Sequence, residues 1–148
     1  MNILKSNGSE FIEFISIQEE ELLSYHPLAG SFAVLKCDGK YLMCYNVWRK
    51  QWELPAGGRE NNETPKECAI RELYEETGQI VTDLKFRGLL KTKKTEDEEI
   101  RYNPVYSSIT SKLQPFIENN ETSKIMLWDL KEIIGTIDMV DIKILEFI

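Results

Sequence analysis

Long hydrophobic runs are missing from this sequence of 148 residues. The longest unbroken apolar stretch, Tyr41–Tyr45, is far shorter than the roughly 18 residues that a membrane-spanning helix needs. The N-terminal segment Met1–Gly8 also lacks the apolar core of a secretory signal. We therefore expect a cytoplasmic protein with no membrane partner. The length is close to the usual size of about 150 residues per domain, which predicts one domain over residues 1–148.

Positive charge is also scarce. The chain has 18 Lys and Arg residues against 25 Asp and Glu residues, which gives a formal net charge of −7. Such a surface repels nucleic-acid polymers, because their affinity comes mainly from phosphates that contact Lys and Arg. A small phosphorylated ligand remains compatible with it, since a divalent cation can bridge acidic side chains and phosphate oxygens. The charge therefore disfavours a nucleic-acid polymer as partner and leaves metal-dependent phosphate chemistry open.

Only three cysteines are present, and they form no C-x-x-C pair of the kind that binds metals. Cys37 and Cys44 lie on either side of Asp38-Gly39, a strong signal for a two-residue hairpin turn. In the predicted register Cys37 is opposite Lys40 and Cys44 is opposite Ala33, so the two thiols do not face each other. We expect all the cysteines to be reduced and mostly buried among apolar side chains.

The hairpin around that turn has two apolar faces. Its strands are predicted at Phe32–Cys37 and Tyr41–Val47, with one face made of Phe32, Val34, Met43 and Tyr45 and the other of Ala33, Leu35, Leu42 and Cys44. A sheet that is apolar on both faces must be covered on both sides. Further strands are predicted at Phe11–Ile17, Gln51–Leu54, Val81–Lys91, Arg101–Thr110 and Ile125–Trp128. Strands interleaved with helices indicate an α/β sandwich.

The clearest helix is predicted from Pro65 to Thr77. Thr64 is a natural N-cap, Pro65 occupies the first helical position, and Glu67 completes a capping box. Gly78 supplies the C-terminal stop. Shorter helical segments are predicted at Glu19–Leu23, Asp129–Gly135 and Met139–Ile148.

One face of this helix is apolar and the other is strongly acidic. Glu72, Glu75 and Glu76 are spaced at i, i+3 and i+4, so their carboxylate oxygens can converge on one point. Carboxylate oxygens are the ligands that Mg²⁺ or Mn²⁺ prefers. On spacing alone, an acidic surface helix with Arg71 as counter-charge is the simpler interpretation, because like charges at this spacing cost only about 0.2–0.5 kcal/mol per pair.

The sequence around the helix changes that balance, because it resembles the Nudix box, G-x5-E-x7-R-E-U-x-E-E-x-G-U, where U is a bulky apolar residue. Eight of the nine specified positions match, namely Gly57, Glu63, Arg71, Glu72, Leu73, Glu75, Glu76 and Gly78. The exception is Gln79 in the last apolar position, where we expect Ile80 to fill the apolar pocket instead. With residue frequencies of roughly 5–7%, such a match arises by chance on the order of once in 10⁹ start sites. The strand order and the segment Trp52–Pro55 also resemble the family, so the likeness covers most of the chain.

The resemblance implies an α/β/α sandwich with a mixed β-sheet. It also implies an enzyme that hydrolyses a diphosphate linked to a nucleoside, with Mg²⁺ or Mn²⁺ as cofactor and water attacking phosphorus. Glu72, Glu75 and Glu76 become the metal ligands, and a main-chain carbonyl of Ala56 or Gly57 could complete the shell. The base that deprotonates the water would be Glu72 or a glutamate on a later loop. The candidates there, each of which would act as base or join the metal cluster, are Glu118 and Glu121, with Glu96, Glu98 and Glu99 as a competing cluster.

Supporting roles follow from the same resemblance. Arg71 would orient a glutamate by ion pairing, and Glu63 would brace the loop before the helix. Gly57, Trp52 and Lys91 are candidates for substrate contacts, with the core and a solvated loop as the simpler interpretations of Trp52 and Lys91.

The substrate is less well defined than the reaction. The short chain favours a nucleoside or deoxynucleoside triphosphate, with ADP-ribose or a nucleotide sugar as the alternative. A nucleotide-binding sensor without activity and an isopentenyl-diphosphate isomerase are rival interpretations. The first has no support because all three carboxylates are present, and the second has none because nothing marks Cys68 as a catalytic cysteine. A homodimer is compatible with the sequence.

Overall fold

The structure is a computed structural model that describes residues 5–6 and 8–148. Residues 1–4 and 7, and with them much of the Met1–Gly8 segment, lie outside the described residues. The elements in chain order are β1 (Lys5–Ser6), β2 (Ser9–Ile15), a 3-10 helix (Glu19–Ser24), β3 (Ser31–Cys37), β4 (Lys40–Asn46), β5 (Gln51–Glu53), β6 (Ala56–Gly57), α1 (Pro65–Thr77), β7 (Lys85–Lys94), β8 (Ile100–Thr110), β9 (Thr122–Trp128) and α2 (Met139–Leu145).

The described strands form one nine-stranded sheet in the order β1-β2-β7-β8-β3-β4-β5, with β6 paired to β3 and β9 paired to β4. Strands β3 and β8 are parallel, from Phe32 opposite Val105 to Cys37 opposite Thr110. The neighbouring pairs β7–β8 and β4–β9 are antiparallel. The sheet is therefore mixed, as predicted.

The two helices cover opposite faces of this sheet. Ala69 and Leu73 of α1 join a fully buried cluster with Ala33, Leu35 and Leu42. On the other face, α2 contributes Val140, Ile144 and Leu145 to a core that includes Val34 and Met43. Burying one Leu side chain of this kind stabilises a fold by about 1.5–3 kcal/mol. The α/β/α sandwich and the two apolar faces of the hairpin are confirmed.

The hairpin turn forms as predicted, but its strands soon separate. Asp38 and Gly39 both adopt positive φ angles (55° and 79°), and Cys37 is opposite Lys40. The predicted pairing of Cys44 with Ala33 is wrong, because β4 leaves β3 to pair with β5 and β9, so that Cys44 is opposite Glu53. The edge of β3 released in this way binds β6, with Ser31 opposite Gly57 and Phe32 opposite Ala56. All three cysteines are free and buried.

Helix α1 has the predicted bounds and caps. The Thr64 hydroxyl accepts from the Glu67 N–H (3.1 Å), and the Glu67 carboxylate accepts from the Thr64 N–H (2.9 Å). Gly78 ends the helix in the left-handed region at φ 82°. No helix among the described residues is both long and apolar enough to cross a membrane.

The apolar pocket expected after α1 is filled differently. Gln79, not Ile80, is buried, and Ile80 is 61% exposed. The Gln79 side-chain amide donates to the Gln114 carbonyl (2.8 Å) and accepts from the Gln114 N–H (2.7 Å). The prediction for Ile80 is wrong. The Gln79 side-chain amide can be buried at this position because backbone groups satisfy its hydrogen bonds.

Two other segments differ most from the sequence prediction. The helix expected at Asp129–Gly135 is absent, and the Asp129 carboxylate instead caps a local turn by accepting from the N–H groups of Lys131 and Glu132 (2.8 Å each). The strand predicted from Val81 begins four residues later and continues to Lys94.

Candidate active site

The glycine turn at β6 packs directly against the acidic face of α1. The backbone of Gly57 lies so close to Glu72 that a Cβ atom at position 57 would overlap the Glu72 carboxyl group. A Cβ atom at Gly30 would likewise overlap the carbonyl of Gly57. These two glycines allow the turn to sit between the start of β3 and the helix, because neither carries a side chain that would separate them.

Arg71 is the centre of an ion-pair network at the edge of this face. Its guanidinium donates to both oxygens of Glu63 (2.7 and 3.0 Å), to Glu72 (2.7 Å) and to Glu75 (3.1 Å). Glu63 also accepts from the Glu60 N–H, so it ties the loop before α1 to the helix. These ion pairs are the contacts that Arg71 would need to orient Glu72 and that Glu63 would need to brace the loop. Both roles remain predictions.

Replacing Glu63 with glutamine is expected to destabilise the protein at neutral pH but much less in acid. The hydrogen bonds from Arg71 lower the pKa of Glu63 to about 2, from an ordinary 4.5. The stabilisation is therefore fully present above pH 4.5 and is lost as the pH falls toward 2. Urea unfolding of both proteins at about pH 7 and about pH 2.5 measures this difference. Glu60→Gln is the control, because that carboxylate also pairs with Arg71 but is 64% exposed. An equal loss for Glu63→Gln at both pH values would contradict the prediction.

Glu76 is the buried carboxylate of α1, with 5% of its surface exposed. One oxygen accepts from the Ala56 N–H at 3.0 Å, and the other lies 3.8 Å from the Cys44 thiol. Burial, followed by the proximity of Glu121, raises the pKa of Glu76 to about 9. Burial also raises the pKa of Glu72, with a further contribution from Glu121 and an opposing one from Arg71.

The carboxylates of Glu72 and Glu76 from α1 and of Glu121 from the loop before β9 thus share one space, in which Glu76 is buried and Glu72 and Glu121 are half-buried. Their mutual repulsion is what a divalent cation would relieve, and carboxylate oxygens are the ligands such an ion prefers. The donor chemistry therefore fits Mg²⁺ or Mn²⁺. As positioned, no group of three or more acidic, His or Cys side chains in the described part of the chain could hold an ion. Arg71 instead holds Glu72 and Glu75, and Glu75 is 53% exposed.

The loop before β9 brings one of its two glutamates to this space. Glu121 is the one that affects Glu72 and Glu76, whereas Glu118 is exposed. Sequence reasoning missed Asn119, whose side chain accepts from the Glu121 N–H (3.0 Å) and donates to the Glu76 carbonyl (3.2 Å). The available signal was an Asn two residues before the glutamate, a position from which Asn side chains bind backbone N–H groups.

A polar cavity adjoins the carboxylates at Ala56. Its lining includes two arginines and three acidic residues, namely Arg49, Arg101, Glu53, Asp138 and Asp141. Arg49 donates to both oxygens of Glu53 (2.7 and 3.0 Å). Burial acts to raise the pKa of Glu53, but the hydrogen bonds from Arg49 and Gln51 outweigh it, so the pKa lies below its ordinary value. Arg49, which lines the cavity, also interacts electrostatically with Glu121.

Two predicted substrate residues lie away from this cavity. Trp52 is 6% exposed, and its indole N–H donates to the Ile134 carbonyl (3.0 Å) within the core. Leu90 and Thr92 line the cavity, so the alternation of β7 places Lys91 on the opposite face of that strand. Among the predicted substrate contacts, the structure brings only Gly57 against the carboxylates.

Comparison with known proteins agrees with this architecture. An RNA pyrophosphohydrolase of Hydrogenovibrio crunogenus is 36% identical over 73 residues, which are 49% of this chain and 44% of that protein. This chain thus spans less than half the length of that curated relative.

Solved structures give a similar result for the fold. A Bacillus subtilis pyrophosphohydrolase has a TM-score of 0.73 and 19% identity, covering 99% of this chain and 92% of that one. The NUDIX domain of a Shewanella oneidensis protein in complex with ADP ribose has a TM-score of 0.65 and 19% identity, covering 88% and 96%. The family model for the NUDIX domain matches residues 24–146, and the chain therefore belongs to the Nudix family.

Proposed function

We propose that this protein is a metal-dependent pyrophosphohydrolase that cleaves a diphosphate linkage in a nucleoside-diphosphate compound by attack of water at phosphorus. The observation that carries the proposal is that the carboxylates of Glu72, Glu76 and Glu121 share one space beside the glycine turn, with Glu76 buried there. Three carboxylates that repel one another around a buried glutamate destabilise the fold without a cation, and groups perturbed in this way cluster at functional sites.

The residues divide into ligands and supports. Glu72 and Glu76, with Glu75 once it leaves Arg71, would hold Mg²⁺ or Mn²⁺, and a carbonyl of Ala56 or Gly57 would complete the shell. When bound, the ion polarises the phosphoryl oxygens and lowers the pKa of the attacking water. Glu121 would join these ligands or, with Glu72 as the alternative, accept the proton from that water. Members of this family generally use divalent metal ions.

The favoured substrate is a nucleoside or deoxynucleoside triphosphate, cleaved to a monophosphate and pyrophosphate. The cavity beside Ala56 supports a compact ligand of this kind, because its arginines can pair with phosphate oxygens while its carboxylates accept from a base or a sugar. ADP-ribose is the alternative, supported by the Shewanella oneidensis domain that binds it.

A second candidate substrate is the triphosphate at the 5′ end of an RNA. It is favoured by the Hydrogenovibrio crunogenus relative, an RNA pyrophosphohydrolase that is identical to this chain at 36% of the positions across the matched segment. The net charge of −7 opposes it, because the body of the RNA would meet an acidic surface.

A substrate panel separates these possibilities. Nucleoside triphosphates, ADP-ribose, a nucleotide sugar, a dinucleoside polyphosphate and a 5′-triphosphorylated RNA oligonucleotide are incubated with Mg²⁺, and the released phosphates are quantified. We expect the highest kcat/KM for a nucleoside triphosphate. A higher value for the RNA would replace that substrate assignment, and cleavage of no compound with either Mg²⁺ or Mn²⁺ would favour a nucleotide-binding sensor.

Three broader expectations accompany the proposal. We expect the chain to act as one domain over residues 1–148, to work in the cytoplasm and to be capable of forming a homodimer. Size-exclusion chromatography with light scattering measures the last of these directly.

A further inference from the structure

Asn119 connects the backbones of Glu76 and Glu121, two residues whose carboxylates share the site. Its side-chain N–H donates to the backbone carbonyl of Glu76 at 3.2 Å. Its side-chain oxygen accepts from the backbone N–H groups of Glu121 (3.0 Å) and Thr122 (2.8 Å). One amide thus binds the main chain of both residues whose carboxylates face each other.

The Glu121 backbone is also held from the opposite side. Its carbonyl accepts from the Val47 N–H at 2.9 Å, at the end of the β4–β5 hairpin. The next residue, Thr122, pairs with Asn46 in the sheet and is 1% exposed. With its N–H held by Asn119 and its carbonyl by Val47, Glu121 has a fixed backbone although it lies in a loop. The carboxylate close to Glu76 therefore extends from a backbone that is fixed on both sides.

We propose that Asn119 is a positioning residue that sets the separation of the Glu76 and Glu121 carboxylates and so determines how well they hold a divalent cation together. This inference rests on the proposed function for the identity of the reaction. It adds a residue outside the Nudix box, and one that contributes no charge to the site. A side chain with one donor and one acceptor is required, because the two backbones present a carbonyl on one side and N–H groups on the other.

Variants at position 119 distinguish the contact with Glu76 from the contacts with Glu121 and Thr122. Asn119→Ala removes both contacts. Asn119→Asp keeps the acceptor for Glu121 and Thr122 but places a second oxygen against the Glu76 carbonyl. The neighbouring exposed residue supplies the matched control, Asn120→Ala. Mn²⁺ binding is measured by titration calorimetry on all of them, so that the result does not depend on knowing the substrate.

Loss of a group that orients a ligand costs about 10–100-fold in metal affinity or activity. We expect Asn119→Ala and Asn119→Asp to weaken Mn²⁺ binding by that factor, while Asn120→Ala binds as the wild type does. On the best substrate of the panel, kcat should fall with little change in KM. In a Glu121→Gln background, Asn119→Ala should cause no further loss, because Asn119 acts through Glu121.

Two results would overturn the inference. One is wild-type Mn²⁺ affinity in Asn119→Asp, which would show that the contact with Glu76 is not needed. The other is an equal loss from Asn119→Ala in the wild-type and Glu121→Gln backgrounds. Failure of the proposed function is distinguishable, since the wild type would then cleave no anhydride whatever the Asn119 variants bind. Should Asn119→Ala not fold, Asn119→Asp still decides the question.

Discussion

Replacing Glu76 with glutamine is expected to lower turnover by about a thousandfold or more, since an ion at this site contributes several kcal/mol to the reaction and about 1.4 kcal/mol corresponds to a factor of ten. The amide keeps the shape of the side chain and can still accept from the Ala56 N–H, so the fold is retained. It loses the negative charge that a cation needs. Steady-state kinetics with Mg²⁺, next to Glu20→Gln as an exposed control with the same charge change, measures the effect.

The same substitution should increase the stability of the metal-free protein, although it lowers turnover. Because the folded-state pKa of Glu76 is raised to about 9, folding above pH 4.5 requires this group to take up a proton, and stability falls progressively as the pH rises toward 9. Glutamine removes that cost, so Glu76→Gln should melt higher than the wild type at neutral pH without metal and equally near pH 4.5. Added Mn²⁺ should raise the melting temperature of the wild type only. Wild-type turnover in Glu76→Gln would rule out the proposed ligand.

Replacing Gly57 with alanine is expected to reduce turnover by about a hundredfold, the usual cost of moving a catalytic group by about 1 Å. The new methyl group would overlap the Glu72 carboxyl group, which Arg71 holds in place. The carboxylate is the flexible end of a side chain, so it can move, and the melting temperature should fall only slightly.

The adjacent glycine provides the control. A Cβ atom at Gly58 would meet no described atom within 4 Å, and the Gly58 carbonyl that accepts from Arg71 is unchanged by the substitution. Gly58→Ala should therefore retain activity. Equal losses of turnover in the two variants would show that the turn tolerates no side chain at either position. The loss in Gly57→Ala could then not be attributed to displacement of Glu72.

The sequence was sufficient for those parts of the molecule that depend on local rules. The caps of α1, the turn at Asp38-Gly39 and the apolar faces of β3 and β4 each follow from residues within a few positions of one another. The acidic face of α1 was predictable for the same reason, because helical spacing alone brings Glu72 and Glu76 together.

What the sequence could not predict depends on partners that are distant in the chain. Gln79 can be buried only because Gln114 supplies both a donor and an acceptor. The pairing of Cys44 depends on β5 taking the place of β3 along one edge of β4, while β9 pairs with the other edge. Glu121 could not be chosen over Glu118 from spacing, because the choice depends on how Asn119 and Val47 hold the loop.

The guanidinium of Arg71 affects how the protein folds before it binds any metal ion. Bound to Glu63, Glu72 and Glu75 at once, it serves as a built-in counter-ion for the acidic helix. The chain should therefore fold without a bound metal ion. A chelator should abolish its activity but leave the protein folded. Loading then becomes an exchange of one positive charge for another, in which the arginine must release its glutamates to an incoming ion.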